Sequence, residues 1–368
     1  MSFGIIGITT PCLKIANGVQ KVNKVHVYDA HITQQFNMFN AENYACLADL
    51  MVNMNRPRTI VTSNTETKKT IDQILEWSDP EDTIINCGND HFKHDMFYEN
   101  ECLNKDVHYL SATLSNDAFV VGGKEGIFRT HEPLFYTFAK NVAYAGDLPG
   151  SGHFAKMILD TFECMLYHIV SDVVSYCNGN IPVSLGIMNK AATLDLAGPI
   201  IENSKSHLYV TRNYKDTAEI KNTTAWFLDY ALGLRVPTPV AYSAINTRVS
   251  SQYTKHVNAK QSYNKFFEKN VILQTMRFCF SMAYYECIHV SNGKVKAWIK
   301  NSNVECPLFD VYDPLEVMDA TVEKTRKFVT HSVYSGIPTP TIQAALSQYD
   351  FIKQERTSMN FIASIKDV

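Results

Sequence analysis

The chain has 368 residues, which is long for a single domain and favours two packed units. Its composition, 45% hydrophobic and 19% charged, is typical of soluble globular proteins. The net charge of −3 offers no broad attraction for nucleic acid or anionic lipid, and no apolar run reaches the roughly 18 residues that a membrane span needs. We therefore expect neither a nucleic-acid partner nor a membrane partner.

The nine cysteines are scattered, mostly in apolar runs, and form no C-x-x-C pair. This pattern is typical of buried free thiols in a reducing compartment. The first residues lack the basic and apolar regions of a signal peptide. We therefore expect a cytoplasmic protein. A His91-x-x-His94-Asp95 run lacks a third ligand at a known spacing, so it is interpreted as a solvated polar turn and no metal is expected.

Short strand-like runs alternate with polar helical stretches in the first part of the chain. The strand-like runs lie at 4–8, 24–29, 58–63, 82–87, 108–113, 118–123 and 143–146, and a clear helical stretch lies at 65–77. Strands that alternate with helices indicate a parallel, doubly wound sheet. We predict a Rossmann-like α/β domain over residues 1–149.

After Pro149 the pattern becomes helical. Residues 153–177 carry apolar side chains on two faces at helical spacing, as expected for a buried helix. Further helices are predicted at 223–235, 239–257, 266–290 and 314–335, and proline-containing segments separate some of them. We predict an all-α domain over residues 150–368.

Four residues at the start of the long helix share one face: Lys156, Leu159, Asp160 and Glu163 lie at i, i+3, i+4 and i+7. Lys156 and Glu163 are then roughly 10 Å apart along the axis. A small substrate could lie between this amine and this carboxyl group, with the amine as base and the carboxyl as acid. Taken alone, a solvated stripe on an amphipathic helix is the more common explanation of such a pattern.

Several motifs occur in the order known from one enzyme family. The chain resembles the 6-phosphogluconate dehydrogenases, whose helical domain begins G-A-G-H-[FY]-x-K-M-x-x-N-x-x-E. The matching segments are Gly150 to Met157 with Glu163 at the matching offset, Cys87-Gly88-Asn89, Lys221 to Trp226, Arg248 to Ser251, Gly336 to Pro340 and Ala345 to Asp350. The chain is shorter than typical members, with length missing around 178–215, around 300–315 and in the tail.

This resemblance implies a reaction and a set of site residues. Members oxidise the 3-hydroxyl of 6-phosphogluconate with NADP and then release carbon dioxide. In that scheme the lysine matching Lys156 takes the hydroxyl proton, the glutamate matching Glu163 protonates the enediol, and the asparagine matching Asn89 lies beside nicotinamide and substrate. The substrate-binding positions correspond to Ser115, Lys221, Thr223, His256 and Lys366. The family also implies a homodimer formed through the helical domain.

The cofactor loop departs from the family pattern. A dinucleotide site needs G-x-G/A-x-x-G after the first strand, because the pyrophosphate approaches bare backbone at a helix N-terminus. Here only Gly7 remains, Thr9 and Cys12 replace the other two small residues, and Pro11 removes an N–H donor. Asp29, 22 residues after Gly7, is placed like the acid that binds the ribose of NAD, or it simply caps a strand end. We expect no cofactor; if one binds, NAD or NADP is implied, with NAD favoured.

The catalytic face and the substrate pocket also depart from the pattern. Leu159 and Asp160 replace a histidine and a neutral asparagine, and an anion at i+4 from Lys156 opposes the neutral amine that a base requires. The S-G-G loop becomes Ser115-Asn116-Asp117. Among the phosphate ligands, Cys164 replaces a tyrosine, whereas His256 and Lys366 replace arginines and lose the bidentate contact with phosphate.

Three interpretations remain open. The first is a family protein that has lost the reaction and persists as a binding or structural partner of an unknown protein. The second is an active but divergent NAD(P)-dependent decarboxylating oxidoreductase acting on 6-phosphogluconate or a related hydroxy acid. The third is a site that now binds another small ligand. Simultaneous changes at the loop, the catalytic face and the pocket favour the first.

Overall fold

The computed structural model describes most of the chain. The described residues are 2–30, 41–63, 66–115, 118–177, 180–192, 198–208, 218–253, 268–299, 308–355, 357 and 359. They form two compact units, which divide between Met157 and Ile158 inside a long helix. Each unit is described separately below.

The N-terminal unit is built on one eight-stranded sheet. Its strands are β1 (Ser2–Ile6), β2 (Val25–Tyr28), β3 (Ala41–Asn43), β4 (Arg58–Thr62), β5 (Thr83–Asn86), β6 (His108–Ser115), β7 (Ala118–Gly123) and β8 (Asn141–Gly146). The order in the sheet is β3-β2-β1-β4-β5-β6-β7-β8. The strand order reverses between β1 and β4, and open sheets of this kind bind ligands at the carboxyl ends of the strands beside such a reversal.

Helices cover both faces of this sheet. They are α1 (Thr10–Val19), α2 (Leu47–Asn53), α3 (Thr67–Glu76), α4 (Asp95–Leu103) and α5 (Glu125–Phe135). Alternation along the strands sends successive side chains into two separate cores. Ile5, Val61 and Ile85 pack in the core that includes residues of α1 and α5, whereas Ile60 and Ile84 pack in the core that includes residues of α2, α3 and α4.

The Rossmann-like fold expected from the sequence is confirmed, with one difference in the sheet. All neighbouring strands pair in parallel except β6 and β7, which are antiparallel. Only two residues separate Ser115 from Ala118, and a parallel crossover needs about a dozen residues or more. The expectation of an entirely parallel sheet was therefore wrong at this pair.

The C-terminal unit is helical within the described residues. Its helices are α6 (Ser151–Tyr176), which begins in the N-terminal unit, α7 (Ile181–Ala192), α8 (Gly198–Leu208), α9 (Asn222–Gly233), α10 (Pro239–Ser251), α11 (Lys269–Val290), α12 (Val295–Ile299), α13 (Leu308–Val311), α14 (Pro314–Tyr334) and α15 (Pro340–Lys353). The long helix α11 packs against α14 and α15, and α10 packs against α15. The helical character predicted for this part of the chain is confirmed.

Two buried acids hold helix ends within the C-terminal unit. Asp172 of α6 accepts the backbone N–H groups of Thr341 and Ile342 at the start of α15, at 2.8 and 3.0 Å. Glu286 of α11 likewise binds two N–H groups at the start of α10. Both helices begin with proline, and the acids satisfy donors that the first helical turn leaves unpaired.

The predicted domain boundary after residue 149 lies between the end of β8 at Gly146 and the start of α6 at Ser151. The two compact units instead divide inside α6, after Met157, which is eight residues beyond the predicted boundary. No described helix is both long and apolar enough to cross a membrane.

Candidate functional site

The turn between β1 and α1 is where a dinucleotide pyrophosphate would be expected. Gly7 adopts φ 89°, a conformation that favours glycine, and its N–H donates to Tyr28 O at 3.0 Å. Helix α1 begins at Thr10, and the preceding Thr9 makes no side-chain capping bond. Pro11 lies in the first turn of the helix, where it contributes no N–H donor.

Asp29 contacts this turn directly. Its Oδ2 accepts the backbone N–H of Ile8 at 2.5 Å. The acid at the end of β2 therefore binds the backbone of the turn. In NAD-binding proteins an acid at this sequence position reaches the ribose. Here Asp29 binds the turn instead, which places its carboxylate next to the expected position of the pyrophosphate.

Cys12 stands where the family pattern has its third small residue, and its side chain is part of the sheet core. It is 1% exposed and packs with Ile15 and Ala16, while the partly buried Ile8 packs against the same core. Burial raises the pKa of the Cys12 thiol to about 11. The thiol is therefore neutral at ordinary pH and acts as a core side chain.

The segment after β5 brings Lys156 and the Cys87-Gly88-Asn89 motif together. Lys156 Nζ donates to Gly88 O at 3.3 Å. Asn89 is exposed and lines a cavity of about 350 Å³, together with Glu66, Thr67, Lys68, Lys69, Asp90 and Tyr98. The sequence predicted Lys156 and Asn89 as site residues, and the backbone of this motif places them in one region of the N-terminal unit.

Glycines fix the start of α6 against the sheet. The N–H of Gly152 donates to Ser111 Oγ at 3.1 Å, and a Cβ at Gly152 would lie 2.2 Å from Ser111 O. Gly150 adopts φ 79°. His153 then follows with its Nδ1 at 2.8 Å from Asp95 Oδ2, and both side chains are fully buried. The close approach explains why small residues precede Lys156.

Asp95 was missed by the sequence reasoning. The interpretation of 91–95 as a solvated polar turn was wrong at this position, because Asp95 is 0% exposed. It begins α4 and binds Tyr109 and His153. Within the described residues, no cluster of three or more His, Cys, Asp or Glu side chains could hold a metal ion.

Glu163 lies on the part of α6 that belongs to the C-terminal unit. Its side chain is 23% exposed, and Lys221 Nζ lies 3.7 Å from Oε2. Burial raises the pKa of Glu163, and the charge of Asp160 raises it further, although Lys221 opposes this shift. A carboxyl group with a raised pKa retains its proton to a higher pH, as a general acid must.

The start of α9 provides groups that can bind an anion. Lys221 immediately precedes the helix, whose N-terminus carries a partial positive charge. Thr223 is 2% exposed, and its hydroxyl oxygen has no hydrogen-bond partner in the part of the chain that the structure describes. A buried hydroxyl without a partner is uncommon and is consistent with a ligand-binding role.

Arg248 belongs to the same region of the C-terminal unit. Its Nε donates to His168 Nε2 at 2.9 Å and its Nη1 donates to Glu219 O at 2.8 Å. The charge of Arg248 helps to lower the pKa values of Glu163 and Cys164, against the larger effect of burial. The sequence analysis used this arginine only to recognise the family; its position beside Glu163 makes it an additional candidate for binding an anion.

Other predicted site residues can be described only in part. Ser115 is the last residue of β6, and nothing is described of its side chain. His256 and Lys366 lie outside the described residues. Leu159 is 6% exposed, so it places an apolar side chain in the interior one turn after Lys156.

Comparison with known proteins agrees with the motifs. A family model described as the NAD binding domain of 6-phosphogluconate dehydrogenase matches residues 2–146. The decarboxylating 6-phosphogluconate dehydrogenase of Lactococcus lactis subsp. lactis is 22% identical over an alignment of 449 residues, which covers 100% of this chain and 94% of the relative. The first part of the chain thus matches the NAD binding domain model of 6-phosphogluconate dehydrogenase, and the whole chain is similar to the decarboxylating 6-phosphogluconate dehydrogenases. The alignment has 449 positions and this chain has 368 residues, so the alignment contains gaps in this chain.

Other relatives agree with this assignment. The decarboxylating 6-phosphogluconate dehydrogenase of Cunninghamella elegans is 23% identical, over 87% of this chain and 80% of the relative. The solved 6-phosphogluconate dehydrogenase of Plasmodium falciparum, described in its apo form, with NADP+ and with 6-phosphogluconate, has a TM-score of 0.83 at 18% identity. That comparison covers 100% of this chain and 96% of the solved chain, and it shows a shared fold.

Proposed function

We propose that this 6-phosphogluconate dehydrogenase family protein is catalytically impaired or inactive and persists as a binding or structural partner. The observation that carries the proposal is the turn after β1. Asp29 holds the N–H of Ile8 at 2.5 Å, and Pro11 has no N–H to offer. A pyrophosphate would lose two backbone donors and meet a carboxylate at this helix N-terminus.

The expected loss of affinity follows from these contacts. A hydrogen bond to a charged group contributes about 1.5–3 kcal/mol, so two missing donors weaken dinucleotide binding by roughly 3–6 kcal/mol. Since about 1.4 kcal/mol is a tenfold change in affinity, this corresponds to about two to four orders of magnitude. The residues of the turn therefore do not fit the NADP pyrophosphate.

Changes on α6 support the same proposal. Asp160 follows Lys156 by one helical turn, and an anion at that spacing favours the protonated form of an amine. A lysine that removes a hydroxyl proton must instead be neutral. Leu159, which lies between Lys156 and Asp160 in the sequence, is buried and supplies no polar group. Proton removal at Lys156 is thus disfavoured even if a substrate binds.

A second candidate function is favoured by the C-terminal unit. It is NAD(P)-dependent oxidative decarboxylation of 6-phosphogluconate or a related hydroxy acid. Glu163 has a raised pKa, as a proton donor requires, and Lys221, Thr223 and Arg248 are available for an anionic group. In this function Lys156 would take the hydroxyl proton and Glu163 would deliver a proton to carbon.

Thermal shift measurements with NADP, NAD and 6-phosphogluconate separate the two functions. A ligand that binds only the folded state raises the melting temperature. The first proposal expects no shift from either dinucleotide and no formation of reduced nicotinamide when all components are present. A shift with 6-phosphogluconate alone would indicate a retained sugar-acid site without the reaction. Stabilisation by NADP together with turnover would overturn the first proposal in favour of the second.

We further propose that the protein is a homodimer formed through its helical unit. Several large apolar side chains of that unit are strongly exposed, among them Tyr334 at 87%, Tyr253 at 80% and Leu232 at 78%. Exposed apolar side chains of this size favour a protein partner, and a second copy is the partner that the family implies. Light scattering at micromolar concentration tests this proposal, and a monomer would contradict it. A monomer that nevertheless captures another protein would favour the unknown-partner alternative.

A further inference from the structure

A chain of buried side chains runs through the N-terminal unit beneath the Cys87-Gly88-Asn89 motif. The N–H of Gly88 donates to Asn86 Oδ1 at 2.9 Å, and Asn86 Nδ2 donates to Tyr109 Oη at 3.0 Å. Tyr109 Oη in turn donates to Asp95 Oδ1 at 2.5 Å. Asp95 Oδ2 lies 2.8 Å from His153 Nδ1, which donates in the tautomer that satisfies this contact.

This series of hydrogen-bonded side chains is buried. Asn86 and Asp95 are 0% exposed, His153 is 2% exposed and Tyr109 is 4% exposed. Burial, together with the neighbouring Asp95, raises the pKa of Tyr109 far above its usual range, so its hydroxyl remains a donor. Each hydrogen bond in the chain therefore has one possible direction, and water does not compete for the partners.

One end of this series of hydrogen bonds contacts Lys156, and the other end lies on the same helix as Lys156. At one end, the Gly88 peptide donates its N–H to Asn86 while its carbonyl accepts Lys156 Nζ at 3.3 Å. At the other end, His153 lies three residues before Lys156 on α6. The second ring nitrogen of His153 has no partner among the described residues, so Asp95 is the polar group that sets the orientation of this ring.

We propose that Asn86, Tyr109, Asp95 and His153 are positioning residues that hold the Gly88 carbonyl against the ammonium of Lys156. In this arrangement Asn86 fixes the orientation of the Gly88 peptide, and Asp95 fixes the start of α6 through its contact with His153. The proposal does not depend on whether the protein turns over a substrate, since it concerns where the amine is held. Its failure would therefore leave the proposed function untouched.

Two matched pairs of variants test this arrangement. Tyr109→Phe removes the central hydroxyl, whereas Tyr98→Phe removes a hydroxyl that donates to Asp90 at 2.7 Å, outside the chain. The two tyrosine rings lie 6.2 Å apart, so the control perturbs the same region. His153→Leu removes the contact with Asp95, whereas His153→Asn keeps a donor near the position of Nδ1.

The measurement is the rate at which trinitrobenzenesulfonate modifies Lys156 in the full chain, followed by peptide mass mapping. Lys221, in the other unit, serves as the internal reference. Loss of one hydrogen bond of the series that positions the Gly88 carbonyl and the start of α6 should weaken the contact with the ammonium, and so raise the relative rate in Tyr109→Phe and His153→Leu by about two- to tenfold. Tyr98→Phe and His153→Asn should stay close to wild type.

Unchanged labelling of Lys156 in Tyr109→Phe and His153→Leu would overturn the proposal. An equal increase in Tyr98→Phe would overturn it as well, because general loosening of the region would then explain the effect. If Tyr109→Phe does not fold, the comparison of His153→Asn with His153→Leu decides alone. Similar rates in these two variants would contradict a positioning role for His153.

Discussion

Replacing Pro11 by alanine should restore part of the dinucleotide site. The substitution returns a backbone N–H to the first turn of α1, where proline provides none. One hydrogen bond to a charged phosphate contributes about 1.5–3 kcal/mol, which corresponds to roughly a 10- to 150-fold gain in affinity for NAD. The gain should be larger for NAD than for NADP, because Asp29 at the end of β2 would repel the 2′-phosphate that only NADP carries.

Adding Asp29→Asn should then shift the preference towards NADP. Two negative charges roughly 5 Å apart repel by about 3 kcal/mol at an effective dielectric constant of about 20. Removing the charge of Asp29 should therefore improve binding of the NADP 2′-phosphate by about 100-fold relative to NAD. An asparagine oxygen can still accept the N–H of Ile8, so the turn itself should be preserved.

Isothermal titration calorimetry with NAD and NADP measures both effects. Pro133→Ala is the matched control, because Pro133 lies inside α5 in the same unit and away from the turn. This variant should alter stability but leave dinucleotide affinity at the wild-type level. The reasoning is refuted if Pro11→Ala and Pro133→Ala change NAD affinity equally, or if wild type already binds NADP at micromolar concentration.

Three further predictions concern stability and pH. Gly152→Ala should destabilise the fold by about 2 kcal/mol or more in urea titrations, because its Cβ would lie 2.2 Å from Ser111 O; Gly233→Ala, with nothing near its Cβ, should change stability by less than about 1 kcal/mol. Asp172→Asn should gain stability over wild type as pH rises. Burial raises the pKa of Asp172 from 3.8 to about 7, so between these two pH values the folded state holds a proton that the unfolded state has lost, and wild type loses stability as the pH rises. The stability of Asp172→Asn relative to wild type should therefore grow by about 2–3 kcal/mol between about pH 5 and about pH 8. A stability difference that does not change with pH would contradict this. Glu163→Gln should behave in the same direction, because burial raises the pKa of Glu163 too, and parallel pH–stability curves for the variant and wild type would argue against that shift.

Much of the fold was accessible from the sequence because its signals are local. The bounds of β4, β5 and α6 agree within a few residues with the predicted strands at 58–63 and 82–87 and the predicted helix at 153–177. Each of these segments carries a strong apolar pattern. The short edge strand β3 was missed because three residues provide no alternation. The strand β7 was predicted, but its antiparallel direction was not, because the direction of a strand depends on the length of the connection before it rather than on composition.

The candidate site was only partly accessible, for a different reason. Lys156, Glu163 and Lys221 were predicted from the sequence because they belong to recognisable motifs. Asp95 and Arg248 acquire their roles from partners far along the chain: Asp95 binds His153, 58 residues away, and Arg248 binds His168, 80 residues away. Such contacts leave no periodic signal, so only the folded structure shows them.

The most direct test of the central claim is turnover of 6-phosphogluconate with NADP, followed by the absorbance of reduced nicotinamide, in wild type and in Lys156→Met. Lys156 is the group that would remove the hydroxyl proton in an active family member. If the reaction has been lost, the two proteins should produce reduced nicotinamide at the same background rate. A wild-type rate about tenfold or more above that of Lys156→Met, a difference of roughly 1.4 kcal/mol in activation free energy, would contradict the account.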